Sequence, residues 1–313
     1  MTTYCNYKYV VYYVLMNVYR ILLVGRCVVL EPKPKEKPSY FYAIKARTGE
    51  IIWKYPLSYN GKIFFCSDRL YLVDGNNFIE FDQETGGIYQ AYQIPFQPYH
   101  IYSLNNYGET YIIDGKLFAY CEKELELLIV NLDDIYMNPI DPVTLRIKIN
   151  EDILSPLVLD ENILYFSTTD KAMIAWDLSK NKELWTYTKR GGTYYSPLIY
   201  KDIVIFYDDL YGKSSLVAAD KKTGEIRWNI DFNLDLSTSM VIKDQTLFIA
   251  ITDEKNPLAN SKETSYLCAV NIDKGELIWK FKVEDEVINF QILDDKLYCS
   301  CIDGYFYVYN IGK

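Results

Sequence analysis

The chain has 313 residues, half of them hydrophobic, which is enough to bury a sizeable core and too apolar for a disordered or fibrous protein. Lys and Arg number 33 against 42 Asp and Glu, a formal charge of −9; a surface of that sign repels a phosphate backbone, so nucleic acid is not an expected partner. Tyr occurs 31 times and Phe 14 times, and with abundant Ile and Val these residues fit pleated strands, so the composition points to an all-β fold.

The first element is the apolar stretch 10–25. Asn17 and Arg20 interrupt it, and it is shorter than the roughly 20 apolar residues that span a bilayer. It reads as strands, and no membrane association is expected. Arg26 stands directly before Cys27, where a lipoprotein cleavage site needs a small residue. Pro32-Lys33-Pro34-Lys35-Glu36-Lys37-Pro38 then reads as an exposed, extended loop between the second and third strands of a first unit.

From there a two-hairpin unit recurs. Its first hairpin turns at a polar corner between apolar runs: Gly25-Arg26, Ser67-Asp68, Asp114-Gly115, Glu161-Asn162, Lys201-Asp202, Asp244-Gln245 and Asp294-Asp295, spaced 40 to 50 residues apart. Its second hairpin carries Ala43-x-Lys45-x-x-Thr48-Gly49-x-x-x-Trp53, repeated as Ala175-x-Asp177-x-x-Lys180-Asn181-x-x-x-Trp185, Ala218-x-Asp220-x-x-Thr223-Gly224-x-x-x-Trp228 and Ala269-x-Asn271-x-x-Lys274-Gly275-x-x-x-Trp279. A weaker copy, Glu80-x-Asp82-x-x-Thr85-Gly86-x-x-x-Gln90, lacks both Ala and Trp. Gly or Asn at the turn position suits a left-handed backbone, the Asp or Asn before it can hydrogen-bond the turn, and the small Ala leaves room for a large neighbour.

Four strands per unit, seven times, predict an all-β, seven-bladed β-propeller of four-stranded antiparallel blades in a single domain, 1–313. After the last corner only two strands remain, near Leu297–Ser300 and Tyr305–Asn310, so the last blade lacks its outer strand. The surplus run Lys8–Leu15 is expected to supply it: residues 1–16 form a closure strand of the last blade and residues 17–313 the seven blades.

The Ala-x-Asp-x-x-x-Gly-x-x-x-Trp pattern resembles the tryptophan-docking repeat of the pyrroloquinoline-quinone-like (PQQ-like) propellers. The resemblance implies that each Trp packs against a neighbouring blade. It is strong around Trp53, Trp185, Trp228 and Trp279 and weak in the second, third and last units. The third departs most, with Asn131-Leu132-Asp133-Asp134 leading into an irregular Asn138-Pro139-Ile140-Asp141-Pro142. The family includes quinoprotein dehydrogenases, which are longer, secreted and eight-bladed and carry adjacent cysteines, a calcium site and a Trp floor under the quinone. No two cysteines are adjacent here, so the resemblance implies a non-catalytic member without a cofactor, akin to propeller scaffolds that bind other proteins.

Seven scattered cysteines, Cys5, Cys27, Cys66, Cys121, Cys268, Cys299 and Cys301, do not form a disulfide framework and suit a reducing, cytoplasmic setting. Cys299 and Cys301 share one side of a strand and read as packing residues. His100 is the single histidine, so histidine-rich metal sites and His-based triads have too few members; it reads as a loop residue. The acidic pairs Asp133-Asp134, Asp208-Asp209, Glu284-Asp285-Glu286 and Asp294-Asp295 read as solvated turns. No metal site and no catalytic residue is assigned.

In a propeller the loops between second and third strands share one face with the links between blades. That face should hold the partner-binding residues Arg190, Tyr194, Tyr195, Asp208, Asp209, Tyr211 and Asp303, since tyrosine offers large contact area with a hydroxyl for hydrogen bonding. The expected function is a non-enzymatic, monomeric protein-binding scaffold. Its acidity favours a basic protein partner, as for an immunity or antitoxin-like protein. The alternative is a propeller that binds a small molecule or carbohydrate, with or without hydrolase or lyase activity.

Overall fold

A computed structural model describes residues 14–17, 20–25, 39–45, 50–57, 62–66, 69–74, 76–94, 111–121, 124–137, 142–188, 191–208, 214–232, 234–236, 240–253, 264–283, 285–301, 303 and 305–311. The chain divides into two compact units, one drawn from residues 1–100 and 109–148, the other from 101–108 and 149–313.

The first unit carries three antiparallel sheets. Sheet 1 runs β1 (Val14–Asn17), β2 (Arg20–Gly25), β3 (Ser39–Lys45), β4 (Ile51–Leu57), and sheet 2 runs β5 (Lys62–Cys66), β6 (Arg69–Asp74), β7 (Asn77–Phe81), β8 (Ile88–Gln93). Sheet 3 runs β9 (Tyr111–Ile113), β10 (Lys116–Cys121), β11 (Glu126–Asn131) and, after the short helix α1 (Leu132–Met137), β12 (Val143–Lys148).

The second unit carries four. Sheet 4 is β13 (Val158–Asp160), β14 (Ile163–Phe166), β15 (Met173–Asp177), β16 (Lys182–Tyr187), and sheet 5 is β17 (Leu198–Tyr200), β18 (Ile203–Asp208), β19 (Ser215–Asp220), β20 (Ile226–Asp231). In sheet 6, β21 (Asp235–Leu236) and β22 (Val241–Lys243) both pair with β23 (Thr246–Asp253), followed by β24 (Thr264–Asn271) and β25 (Glu276–Lys282). Sheet 7 has three strands, β26 (Val287–Leu293), β27 (Lys296–Cys301) and β28 (Phe306–Asn310). Among the described residues no helix is long and apolar enough to cross a membrane.

Five of the seven corners join the first and second strands of a sheet as the sequence suggests, and Ser67-Asp68 lies outside the described residues. Asp114, Glu161, Lys201, Asp244 and Asp294 take φ of +48° to +56° there, the left-handed backbone that reverses a chain in so few residues. The first corner is corrected: Gly25 lies opposite Tyr40 in the β2–β3 ladder, so residues 20–25 are a second strand. The first strand of that sheet is β1, whose Val14 and Leu15 pair with Leu23 and Leu22 although the sequence reading gave them to the closure run. Residues 1–13 and the Pro32–Pro38 segment lie outside the described residues. A second correction is α1, which replaces the turn between β11 and β12. Asn131 donates from Nδ2 to Asp134 Oδ2 at 2.9 Å at the helix start, and Asp133 and Asp134 occupy its first turn, where carboxylates oppose the exposed N–H groups.

Within each unit adjacent sheets are joined by apolar layers. Ile203, Ile205, Tyr207, Leu216 and Ala218 of sheet 5 pack on Leu247, Ile249, Ile251, Cys268 and Val270 of sheet 6. The intervening Val204, Phe206, Val217 and Ala219 pack on Tyr165, Met173, Ala175 and Trp185 of sheet 4. Successive side chains of a strand point to opposite faces, so a strand covered on both sides reads as a continuous apolar run; β18 is buried along its whole length.

The Ala–Trp motif provides a second connection. Ala43, Ala175, Ala218 and Ala269 lie directly opposite Trp53, Trp185, Trp228 and Trp279 across the third and fourth strands. Three of these indoles reach the turn of the next sheet: Nε1 donates from Trp53 to Gln83 O at 3.0 Å, from Trp185 to Lys221 O at 3.1 Å and from Trp228 to Ile272 O at 2.7 Å. The ring in each case covers a glycine with positive φ, Gly86, Gly224 or Gly275, where an added Cβ would come within 2.4 to 2.7 Å of indole carbons. Glycine is required here both for the backbone and for the approach. Asn181 holds the same turn position with φ +47°.

In sheets 2, 4 and 5 an aspartate, Asp82, Asp177 or Asp220, orders the turn through its side chain. Asp220 Oδ1 accepts from the N–H groups of Lys222 at 3.0 Å and Thr223 at 2.9 Å, while Arg227 binds Oδ2 at 2.8 Å. The Arg227 guanidinium and these N–H donors lower the Asp220 carboxyl to about 2, and Lys180 and Ser179 hold Asp177 well below the carboxylate range. A carboxylate depressed in the folded chain contributes stability above its unfolded value of about 4, lost as pH falls through the folded value. The melting temperature should therefore drop between about pH 4 and pH 2. Asp220→Asn should melt lower at neutral pH and lose less over that window; parallel acid profiles of the two proteins in a thermal melt would contradict this.

Candidate functional site

In sheets 4 to 6 the end of the second strand, the start of the third and the link to the next sheet come together at one end. The residues there are polar yet buried. Ser155, Ser167, Thr168, Asp208, Ser214, Ser215 and Ser265 have no exposed surface, and Thr193 and Thr252 almost none.

Their hydrogen bonds fix the link between sheets 4 and 5. Ser167 N–H donates to Ser155 Oγ at 2.8 Å, Ser167 Oγ donates to Thr193 O, and Thr193 N–H returns to Ser167 Oγ at 3.3 Å. Thr168 Oγ1 donates to Glu151, whose carboxylate also pairs with Lys171 at 3.2 Å. Gly191 N–H donates to Asp208 Oδ1 at 3.2 Å. Gly192 passes so close to sheet 4 that a Cβ would lie 1.7 Å from Thr168 O, so a side chain at this point is sterically excluded. Further round, Thr252 and Ser265 share a hydroxyl hydrogen bond of 2.7 Å, and Ser215 Oγ donates to Asp231 Oδ1 at 2.5 Å. Buried hydroxyls paired in this way hold backbone in place.

The expected partner-binding residues separate on this frame. Tyr194 is exposed at 47% of its surface on the pinned loop. Tyr195 is half-buried, its ring edge-on to Tyr207 with centroids 5.4 Å apart, and its N–H donates to Thr193 Oγ1 at 3.2 Å, so it belongs to the packing of sheets 5 and 6. Asp208 does not reach the surface: its side chain turns inward to Gly191, which removes it from a contact surface. Asp303 is exposed and accepts from Tyr305 N–H at 2.9 Å and Tyr307 Oη at 2.6 Å. Arg190, Asp209, Tyr211 and His100 lie outside the described residues.

Reading from sequence missed the buried hydroxyl belt. Its signal was present as Ser or Thr pairs flanking apolar runs at matching points of successive units: Ser167-Thr168, Ser214-Ser215, and Thr252 with Ser265. Cys299 and Cys301 both lie in the layer between sheets 6 and 7. Burial pushes the Cys301 and Cys268 thiols up to about 12 and that of Cys121 to about 11, so all three are protonated at neutral pH and act as small apolar groups.

Residues 144–280, from the last strand of sheet 3 through sheet 6, match a family model (PQQ_2) described as outer membrane protein assembly factor BamB, and the repeats are of the PQQ-like kind. Two uncharacterized proteins, RC0314 of Rickettsia conorii and RP232 of Rickettsia prowazekii, are each 24% identical over 237 residues, 71% of this chain and 52% of the relative; the chain thus spans about half the length of these curated relatives. Among solved structures, BamB from Moraxella catarrhalis superposes with a TM-score of 0.61 at 14% identity, covering 93% of this chain and 79% of that one. A chain of the mitotic checkpoint complex gives 0.61 at 8% identity (94% and 84%), and the computationally designed Ika8 protein 0.57 at 11% (95% of each). These likenesses concern the fold.

The two neighbouring tyrosines make opposite predictions. Tyr194→Ala should leave the melting temperature near that of the parent, as surface substitutions do, whereas Tyr195→Ala should cost about 1–3 kcal/mol by opening the Tyr207 contact. Denaturant titration of both variants checks this; equal losses would place Tyr194 in the core as well.

Proposed function

We propose that this chain of PQQ-like repeats is a closed seven-bladed propeller that binds another protein through the loop-rich end of its second unit. The observation that carries the binding reading is Tyr194, a large exposed ring on a loop whose flanking backbone is fastened by buried hydroxyls. An anchor held in place loses little entropy on binding, which is what makes a tyrosine effective at an interface. The resemblance to BamB, a protein whose name denotes assembly of other proteins, supports the same reading.

Closure is supported by sheet 7. Among the described residues β28 pairs with β27 alone, and Phe306 and Val308 on it are 65% and 51% exposed. The corresponding strand of sheet 5 is buried almost throughout. An uncovered apolar edge of this kind invites pairing with another strand, and the N-terminal residues of the chain are the proposed source. The net charge favours a basic partner, an immunity or antitoxin-like role being one form of this, and the scattered thiols fit a reducing, cytoplasmic setting.

Tagged wild-type protein and a Tyr194→Ala/Tyr211→Ala variant, used in parallel for affinity purification from the native cell with mass spectrometry, test the proposal. A stoichiometric protein captured by the wild type and lost from the equally folded variant is expected. Undiminished capture by the variant would move the interface elsewhere, and no captured protein in either sample would overturn the scaffold reading.

A further inference from the structure

Neighbouring sheets in the second unit are built on one template, and this poses a problem of order. The Ala, Gly or Asn, and Trp of the motif recur in sheets 4, 5 and 6, so apolar layers and indoles offer little to distinguish one neighbour from the next. The charged residues at the junctions do differ. The corner of sheet 4 presents Asp160 to Lys221 in the turn of sheet 5, Oδ2 to Nζ 2.6 Å, with the two side chains 27% and 15% exposed. The corner of sheet 5 presents the opposite sign, Lys201, to Asp273 in the turn of sheet 6 at 3.2 Å. The corner of sheet 6 ends in Lys243, which pairs with Asp295 of sheet 7 at 3.3 Å and donates to Asp294 O.

We infer that these junction pairs, with the sign reversed between the first and the second, specify the order in which sheets 4, 5 and 6 dock. A sheet 4 that skipped its neighbour and met the turn of sheet 6 would find Ile272 in place of Lys221, the two residues whose carbonyls accept from the docking indoles, and would bring Asp160 and Glu161 up to Asp273. A sheet 5 corner meeting a sheet 5 turn, as between two copies of the chain, would bring Lys201 against Lys222, which holds the place of Asp273, with Lys221 beside it. Exposed pairs add little to the stability of the finished fold; their effect here lies in the wrong arrangements that like charges oppose. The positions are specific. Lys221 also supplies the carbonyl that accepts from Trp185 and from Tyr165 Oη, so its charge sits where the indole of the correct neighbour arrives.

Paired reversals separate ordering from stability. Lys201→Asp/Asp273→Lys keeps a complementary junction between sheets 5 and 6 but gives the acidic corner of sheet 4, Asp160 and Glu161, a positive turn in both sheet 5 and sheet 6. Asp160→Lys/Lys221→Asp does the same with negative turns. Both double variants should melt close to the wild type, each above its own single variant, Asp273→Lys or Lys221→Asp, yet refold from denaturant at low salt several-fold more slowly, or with a comparable loss of native yield. Wild-type refolding rate and yield in both double variants would overturn the ordering role. Double variants that melt no higher than their respective single variants would overturn the pairing itself.

Discussion

A glycine that must adopt a positive φ, with an indole from the preceding sheet lying on it, is the contact around which the repeat is organised. The turn needs a left-handed residue at its fifth position, and glycine meets that need while leaving a surface without a Cβ. The indole uses both properties at once, covering the bare backbone with its ring and donating its N–H to a carbonyl three residues earlier in the turn. Removing a packed tryptophan costs about 3–5 kcal/mol, against about 1 kcal/mol for a hydrogen bond. Packing therefore supplies most of the strength of the contact and the N–H its orientation. The Ala across the ladder then follows, since a larger side chain opposite the indole would displace it.

With sheets joined at their turns and through continuous apolar layers, the opposite end is free for other uses. There the chain replaces apolar packing with hydroxyls buried in mutual hydrogen bonds, which fasten the link between sheets 4 and 5 without a hydrophobic cluster. Gly192 lets that link run against Thr168, and the loop turns Tyr194 outward. The frame places an exposed aromatic ring on backbone that does not need to be ordered on binding.

Much of this was legible in the sequence because its causes are local. The Asp-to-Gly turn, the Asn181 substitution and the Ala opposite Trp each follow from backbone geometry within a dozen residues. The first corner was misread because Gly25-Arg26 has turn-forming character, whereas the true reversal between β1 and β2 lies in a stretch rich in Val and Tyr. Helix α1 was missed although Asn131 followed by two acids is a helix start, because the repeat led one to expect a tight turn. Asp208 and Tyr195 were placed on the surface from residue type and loop position. What buries them comes from elsewhere in the chain, the Gly191 N–H for one and the Tyr207 ring for the other, and such long-range partners have no local signature.

The most direct test of this account is hydrogen exchange of the indole N–H groups followed by NMR in the intact protein. Trp185 and Trp228, bonded to the turns of the next sheets, should exchange slowly and to a similar degree, with Trp176, whose N–H reaches only Asn181 Oδ1 at 3.3 Å on the exposed side of its own sheet, exchanging much faster. Exchange of Trp185 and Trp228 at the rate of Trp176 would contradict the claim that indole–turn contacts hold the sheets together.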